Sequence, residues 1–346
     1  MKAGPRRHLY VYSGLAIVVS MVLACIATEG LARLFLPRCA PRSARVTEFW
    51  KFDSRYGWAH VPGMTGRFTS YGFDSVVVIN AKGFRGRDVS YARNERHRIL
   101  VLGDSFTWGF GVNEEEMFTS VLEKILPNTE VVNLGVNGYS TDQELLLYQE
   151  EGRKYKSDVV MVVVADNDFT DNARSTISHI YNKPGFNLVE GRLEPFNQPV
   201  PQVPMIERVF IQFAGKSYAL TCLNRYLEAT SVDKARNYKI QKIRPFPRSP
   251  AQEITIRLLL ELNDDVMRKG GKFLVVLVDG MVPAEETAEY LANHGIESIV
   301  LDRYLKNDDQ SHHLPEDFHW SSTGHDLVGH VIAEKIKGMQ AVKMER

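Results

Sequence analysis

The chain has 346 residues, 42 basic against 42 acidic, and a formal net charge of zero. That length suits one α/β domain with additions, and the balanced charge removes the basic field that nucleic-acid binding needs. Three cysteines, Cys25, Cys39 and Cys222, are too few for a disulfide framework, and neither a CxxC nor an HExxH pattern occurs, so no cofactor and no metal is expected.

Residues 9–28, LYVYSGLAIVVSMVLACIAT, carry no charge. About 20 residues at ~1.5 Å rise cover ~30 Å, the thickness of bilayer hydrocarbon. Lys2, Arg6 and Arg7 precede the run, which favours residues 1–8 in the cytoplasm and the body on the far side, although Arg33, Arg38, Arg42 and Arg45 follow it. Ala24 and Ala27 offer small residues for signal cleavage, Cys25 a poor lipoprotein context, and Arg6-Arg7 a weak export signal. The length of the run and its continuation as GLARLFLP favour an uncleaved transmembrane helix at 9–28. Cys39 and Cys222 could pair in an oxidising compartment, but spacing fixes no geometry and two unpaired thiols are expected.

Residues 29–96 form a connector rich in Pro and Arg (29–45) and then a β-rich lead-in with aromatics, Gly and β-branched runs such as 75–79. From residue 97 the pattern changes. Short apolar runs at 98–102, 130–134, 158–164, 272–278 and 298–301 read as strands buried on both faces. Between them lie helical patterns. Asn113 with Glu116 caps a helix through Met117, Val121 and Ile125; Thr141–Glu144 is read as a capping box opening a helix to about Lys156. Ile254, Leu258, Leu262 and Val266 mark a helix stopped by Gly270-Gly271, with further helices at 285–293 and 323–339. This alternation predicts a three-layer, doubly wound parallel sheet over 97–346, with ligands beyond the carboxyl ends of its strands. The proline-containing stretch at about 180–250 breaks the alternation and reads as an inserted cap segment.

Polar groups gather where the strands end. Gly103-Asp104-Ser105 puts a hydroxyl directly after the first core strand, with Gly103 free to turn sharply. In 133–140, Gly138 offers a bare N–H just ahead of a helix, while Gly135 serves the turn. Ala165-Asp166-Asn167-Asp168 follows the third strand, and Asn167 carries a carboxamide donor. His319 can accept a serine proton near neutral pH, and Asp317, two residues earlier, shares its face in extended backbone. His312, His313 and His325 show no metal-ligand spacing, and Asp166, Asp168 and Asp171 read as a solvated strand end. Trp108 and Phe110 could line a substrate site or only pack.

The blocks GDSF (103–106), NLGVNGYS (133–140), ADND (165–168) and EDFHW (316–320) resemble, in order and spacing, the SGNH (GDSL) hydrolase superfamily. The resemblance covers about 97–182 and 250–340. It implies a flavodoxin-like sheet and cofactor-free acyl chemistry, with Ser105 as nucleophile, His319 as general base and Asp317 as orienting acid. The Ser105 and Gly138 N–H groups and the Asn167 side chain would form the oxyanion hole. Ala165 departs from the family glycine, and the family often sets its acid three before histidine, so Glu316 remains an alternative. The lead-in NAKGFR (80–85) is similar to membrane-anchored bacterial members, several of which serve surface-polysaccharide acylation or deacylation. The resemblance therefore implies an esterase acting on acyl esters, O-acetyl in particular, of a carbohydrate or envelope component, held at a bacterial inner membrane with its catalytic domain on the periplasmic or extracellular side. The alternatives are an O-acyltransferase using the same residues and a silent glycan-binding or assembly protein.

Overall fold

The computed structural model describes residues 5–39, 49–70, 72–177, 181–206, 216–223, 226, 246–247, 249–278, 280, 284–305, 310–315 and 317–344. The chain forms two compact units, one of 1–44 with 209–240 and one of 45–208 with 241–346.

In the first unit, α1 (Pro5–Phe35) extends beyond both ends of the expected 9–28 span, so the first part of the expected connector is helix. Its stretch Tyr12–Phe35 is long and apolar enough to cross a membrane. Leu15, Ile17, Met21, Leu23 and Ile26 all point outward, without a core to face. Cys39 and Cys222 are joined in a disulfide with Cα atoms 5.0 Å apart, which corrects the expectation of two unpaired thiols. Two residues 183 apart in sequence are brought into bonding range by tertiary packing, which spacing alone could not reveal.

The second unit begins with two antiparallel hairpins, β1 (Trp50–Asp53) with β2 (Gly57–His60) and β3 (Thr65–Ser70) with β4 (Phe73–Val78). The core then follows as β5 (His97–Gly103), α2 (Ser105–Trp108), α3 (Phe118–Ile125), β6 (Thr129–Asn133), α4 (Thr141–Glu150), β7 (Val159–Val164) and α5 (Asp168–Asp171). After the short pair β8 (Thr176–Ile177) and β9 (Tyr181–Asn182) and the hairpin β10 (Gly185–Val189)–β11 (Arg192–Phe196), it resumes with α6 (Pro250–Arg268), β12 (Lys272–Leu277), α7 (Ala284–Asn293), β13 (Glu297–Val300) and α8 (Ser322–Met344).

The five core strands pair in parallel in the order β13-β12-β7-β5-β6, the doubly wound arrangement the alternation predicts. The two-residue period of a strand divides their side chains. Leu100, Leu102, Val160 and Val162 enter one core with Leu145 of α4, Leu258 of α6 and Leu291 of α7. Ile99, Val101, Met161 and Val163 enter the other with Phe118 of α3 and Val328 of α8. Chain order reverses at β5, whose neighbours are β6 and β7, so a crevice opens beyond its carboxyl end.

One helix start differs from expectation. The capping box at α4 is Ser140 with Gln143, not the 141–144 box; the helix begins one residue earlier in its cap, and Glu144 turns into the interior. Within the expected insertion, β10–β11 packs on α4 and α6 and places Phe186 in their core. Residues 207–215 and 227–245 of that insertion lie outside the described residues.

Candidate active site

The site starts from Gly103, whose φ is +152°. A Cβ there would collide with the Thr107 side chain and sit 3.2 Å from Val163 Cβ. The bare backbone lets α2 fold back tightly onto the end of β5. Asp104 caps α2 by accepting the Phe106 N–H at 2.9 Å, which fixes Ser105 at the first helical position. Gly135 is equally constrained: a Cβ on it would meet the Trp108 nitrogen at 2.6 Å, so the loop after β6 can lie directly against α2.

Ser105 and His319 come from distant parts of the chain, yet Ser105 Oγ lies 2.7 Å from His319 Nε2. On the other side of the ring, His319 Nδ1 is 2.5 Å from Asp317 Oδ1, which also accepts the His319 backbone N–H at 3.1 Å. An ionised carboxylate only accepts, so the imidazole proton sits on Nδ1 and the Nε2 lone pair faces the serine hydroxyl. Both side chains are nearly buried, Ser105 at 6% and His319 at 5% exposure. Phe110 stacks on the imidazole at 4.1 Å and Phe318 at 4.3 Å between ring centres. Glu316, the alternative acid, lies outside the described residues.

The expected donors follow the two strands that neighbour β5. The β6 loop carrying Gly138 and the β7 end carrying Asn167 leave the sheet on either side of β5. Gly138 has φ +80°. Asn167 stands at the N-cap of α5, and its side chain makes no capping bond. No hydrogen-bond acceptor for the Gly138 N–H, the Ser105 N–H or the Asn167 carboxamide is found among the described residues.

Sequence reasoning missed what holds those two loops together. Asp168, expected on a solvated strand end, is fully buried. Its Oδ1 accepts from the Thr141 N–H and hydroxyl, both at 2.7 Å, and its Oδ2 accepts the Ala165 N–H at 2.9 Å. Asn172 Oδ1 accepts the Asp142 N–H at 3.1 Å. Lys183, from the insertion, is fully buried, pairs with Asp142, and donates to the Asp171 carbonyl at 3.0 Å. The loop opening α4 and the loop opening α5 are thus one cross-linked unit. A lysine in a loop ordinarily reads as surface, so nothing in the local sequence marks Lys183.

This network is rich in acid. Burial pushes the Asp104 and Asp168 carboxyls up to about 7 and Asp142 up to about 6, while Glu144 is raised well above its usual range by burial and by Asp168 and Asp104. Such groups keep protons that the unfolded chain has released, so their contribution to stability falls as pH rises. Buried His60 and His325, lowered by burial to about 4 and about 3 from 6.5, act in the opposite sense, but only below pH 6.5. Above that value these two histidines no longer offset the acids. The melting temperature is therefore expected to decline from pH 6.5 upward. Glu144→Gln, which fixes the neutral shape, should flatten that decline; a thermal series showing an unchanged slope in the variant would remove Glu144 from the account.

Trp108 and Phe110 are buried. Trp108 packs against Trp50 and Phe68 of the lead-in hairpins, in a small core that also holds Phe110 and Leu314. The lead-in supplies a second support. Arg85 is buried and donates to the carbonyls of Trp108, Gly109 and Val112, pinning the turn that presents Phe110 to His319. His325 accepts the Phe118 N–H through Nδ1 at 3.2 Å and joins α8 to α3. Among the described residues no group of three His, Cys, Asp or Glu is placed to hold a metal.

Residues 101–327 match the GDSL-like lipase/acylhydrolase family. No curated protein matches the sequence. Solved structures that align include a putative G-D-S-L lipolytic protein from Desulfitobacterium hafniense (12% identity, 69% of this chain and 99% of that one, TM-score 0.40). A lipase/acylhydrolase from Enterococcus faecalis also aligns (14% identity, 70% and 96%, TM-score 0.39), as does a G-D-S-L lipolytic protein from Veillonella parvula (14% identity, 68% and 94%, TM-score 0.39).

Proposed function

Because the chain belongs to the GDSL-like lipase/acylhydrolase family, we propose that it is a serine esterase that cleaves an acyl ester through an acyl-enzyme at Ser105. The observation that carries this is the relay from Ser105 Oγ to His319 Nε2 at 2.7 Å and from His319 Nδ1 to Asp317 at 2.5 Å. Ser105 Oγ attacks the ester carbonyl as its proton passes to His319 Nε2, and Asp317 stabilises the imidazolium. The Ser105 and Gly138 N–H groups and the Asn167 carboxamide accept the charge that builds on the carbonyl oxygen. Collapse breaks the ester C–O bond, and the leaving alkoxide takes the proton from His319. Water then attacks the acyl-serine, with His319 as base, and releases the carboxylic acid and the serine hydroxyl. Asn167→Ala should cost about 10²–10³ in kcat with KM little changed; a normal kcat would take Asn167 out of the oxyanion hole.

The substrate we propose is an O-acyl, in particular O-acetyl, ester of a carbohydrate or envelope component. Trp58 lies 3.5 Å from where a side chain at Gly138 would begin, and Tyr181, 47% exposed, is 5.7 Å from the Trp58 ring. Trp58 itself is buried, so the exposed Tyr181 ring packed on it is the aromatic surface on this side, on which a sugar ring can stack. The apolar α1 and the Cys39–Cys222 disulfide support a single-pass anchor with the catalytic unit on the oxidising, periplasmic or extracellular side. Product analysis with a labelled acyl donor tests the chemistry. Labelled free acid from the wild type and none from Ser105→Ala supports the esterase. Label carried onto an added sugar would identify an acyltransferase working through the same residues. Neither product, together with glycan binding, would leave a silent binding protein.

A further inference from the structure

We propose that residues 217–223 and 226 return to the membrane surface where α1 emerges, and that Leu220, Leu223 and Tyr226 sit in the lipid headgroup–acyl boundary. The proposal rests on α1 being a membrane span. Three ties fasten this segment to the last turns of α1 and to Cys39 just beyond them. The Glu29 carboxylate accepts from the Ser217 hydroxyl at 2.7 Å and from the Tyr218 and Ala219 N–H groups at 3.1 and 3.2 Å, closing the start of the helical turns at 218–223. Arg33 pairs with Glu29 at 2.8 Å and lies over the Tyr218 ring at 5.0 Å. The Cys39–Cys222 disulfide completes the clasp.

The segment's polarity is inverted for a helix in water. Ser217, Thr221 and Cys222 are half-buried, while the outward positions hold Leu220, Leu223 and Tyr226, at 44%, 52% and 67% exposure. A water-facing helix shows the opposite arrangement. The outward apolar face is continuous in kind with the end of α1, where Leu31, Leu34 and Phe35 are exposed. Depth agrees. Counting about 20 residues of span from Tyr12 reaches the neighbourhood of Leu31, so Glu29–Phe35 and everything clasped to it lie at an interface. Tyr12 at one end and Tyr218 and Tyr226 at the other stand where membrane-interface aromatics are enriched. Exposed Lys216 can reach toward lipid phosphates from the edge of the patch. Glu29, whose charge would be costly in hydrocarbon, is satisfied by Arg33 and three donors. The occupant that meets all of this is the bilayer itself, touched a second time by an apolar surface that lies in the boundary without spanning it.

The test uses the full chain in phosphatidylcholine–phosphatidylglycerol nanodiscs, with a nitroxide on an encoded keto amino acid so that the cysteines stay native. Labels are placed singly at 223, 226, 18 (in α1) and 51 (exposed in β1). Collision with oxygen relative to a water-soluble nickel chelate reports lipid against water. The expected result is lipid exposure at 223 and 226, shallower than at 18, and water exposure at 51. Water exposure at both 223 and 226 overturns the proposal. Position 18 then separates the two levels: lipid there leaves the span intact, and water there removes the span as well.

Discussion

Ser105→Ala is expected to lose about 10⁶-fold in kcat, and His319→Ala about as much, because each variant removes one half of the same proton transfer. The double variant should be no worse than either single one, since a nucleophile without its base and a base without its nucleophile are equally idle. Neither change should unfold the protein. Ser105 sits at the start of a four-residue helix whose cap is Asp104, and the His319 backbone carbonyl, which accepts the Leu314 N–H at 2.8 Å, is retained in the alanine variant. Matched melting temperatures with collapsed turnover would locate the loss in chemistry. Independent, multiplying losses in the double variant would show that the two residues do not act on one proton.

Asp317→Ala carries the second large effect, about 10⁴-fold in kcat. Two contributions are removed together: the hold on the Nδ1 proton and the negative charge that stabilises the imidazolium. The geometry allows them to be separated. Both the His319 ring and its backbone N–H use the same oxygen, Oδ1 of Asp317. An asparagine can present its carbonyl oxygen there and keep both bonds while losing the charge. Asp317→Asn should therefore fall between wild type and Asp317→Ala, and the gap between the two variants measures orientation apart from charge. Equal losses would mean that the amide has turned and imposed the wrong tautomer. Wild-type turnover in Asp317→Ala would assign the role of acid elsewhere, with Glu316 first to be tried.

The sheet was legible because its strands are apolar on both faces, a signal that short buried parallel strands give without help from context. The polar blocks at 103–106, 133–140 and 165–168 were legible because they fall where those strands stop, and 316–320 because it stands just before the last helix. What could not be read was long-range pairing. Cys39 meets Cys222 and Lys183 meets Asp142 through packing that no spacing encodes. Trp108 sits near Ser105 in sequence, but the lead-in hairpins bury it, and Arg85 reaches its carbonyl from another strand's loop. Acidic residues after a strand ordinarily face water; Asp168 does not, because two loops needed a shared acceptor at their crossing.

The pairing of Ser105 with His319 is tested most directly by covalent labelling with a fluorophosphonate, followed by peptide mapping of the modified residue. The expected result is a single adduct on Ser105 in the native protein, much slower in His319→Ala and absent from Ser105→Ala. An adduct on a different residue, or equal labelling of wild type and Ser105→Ala, would contradict it.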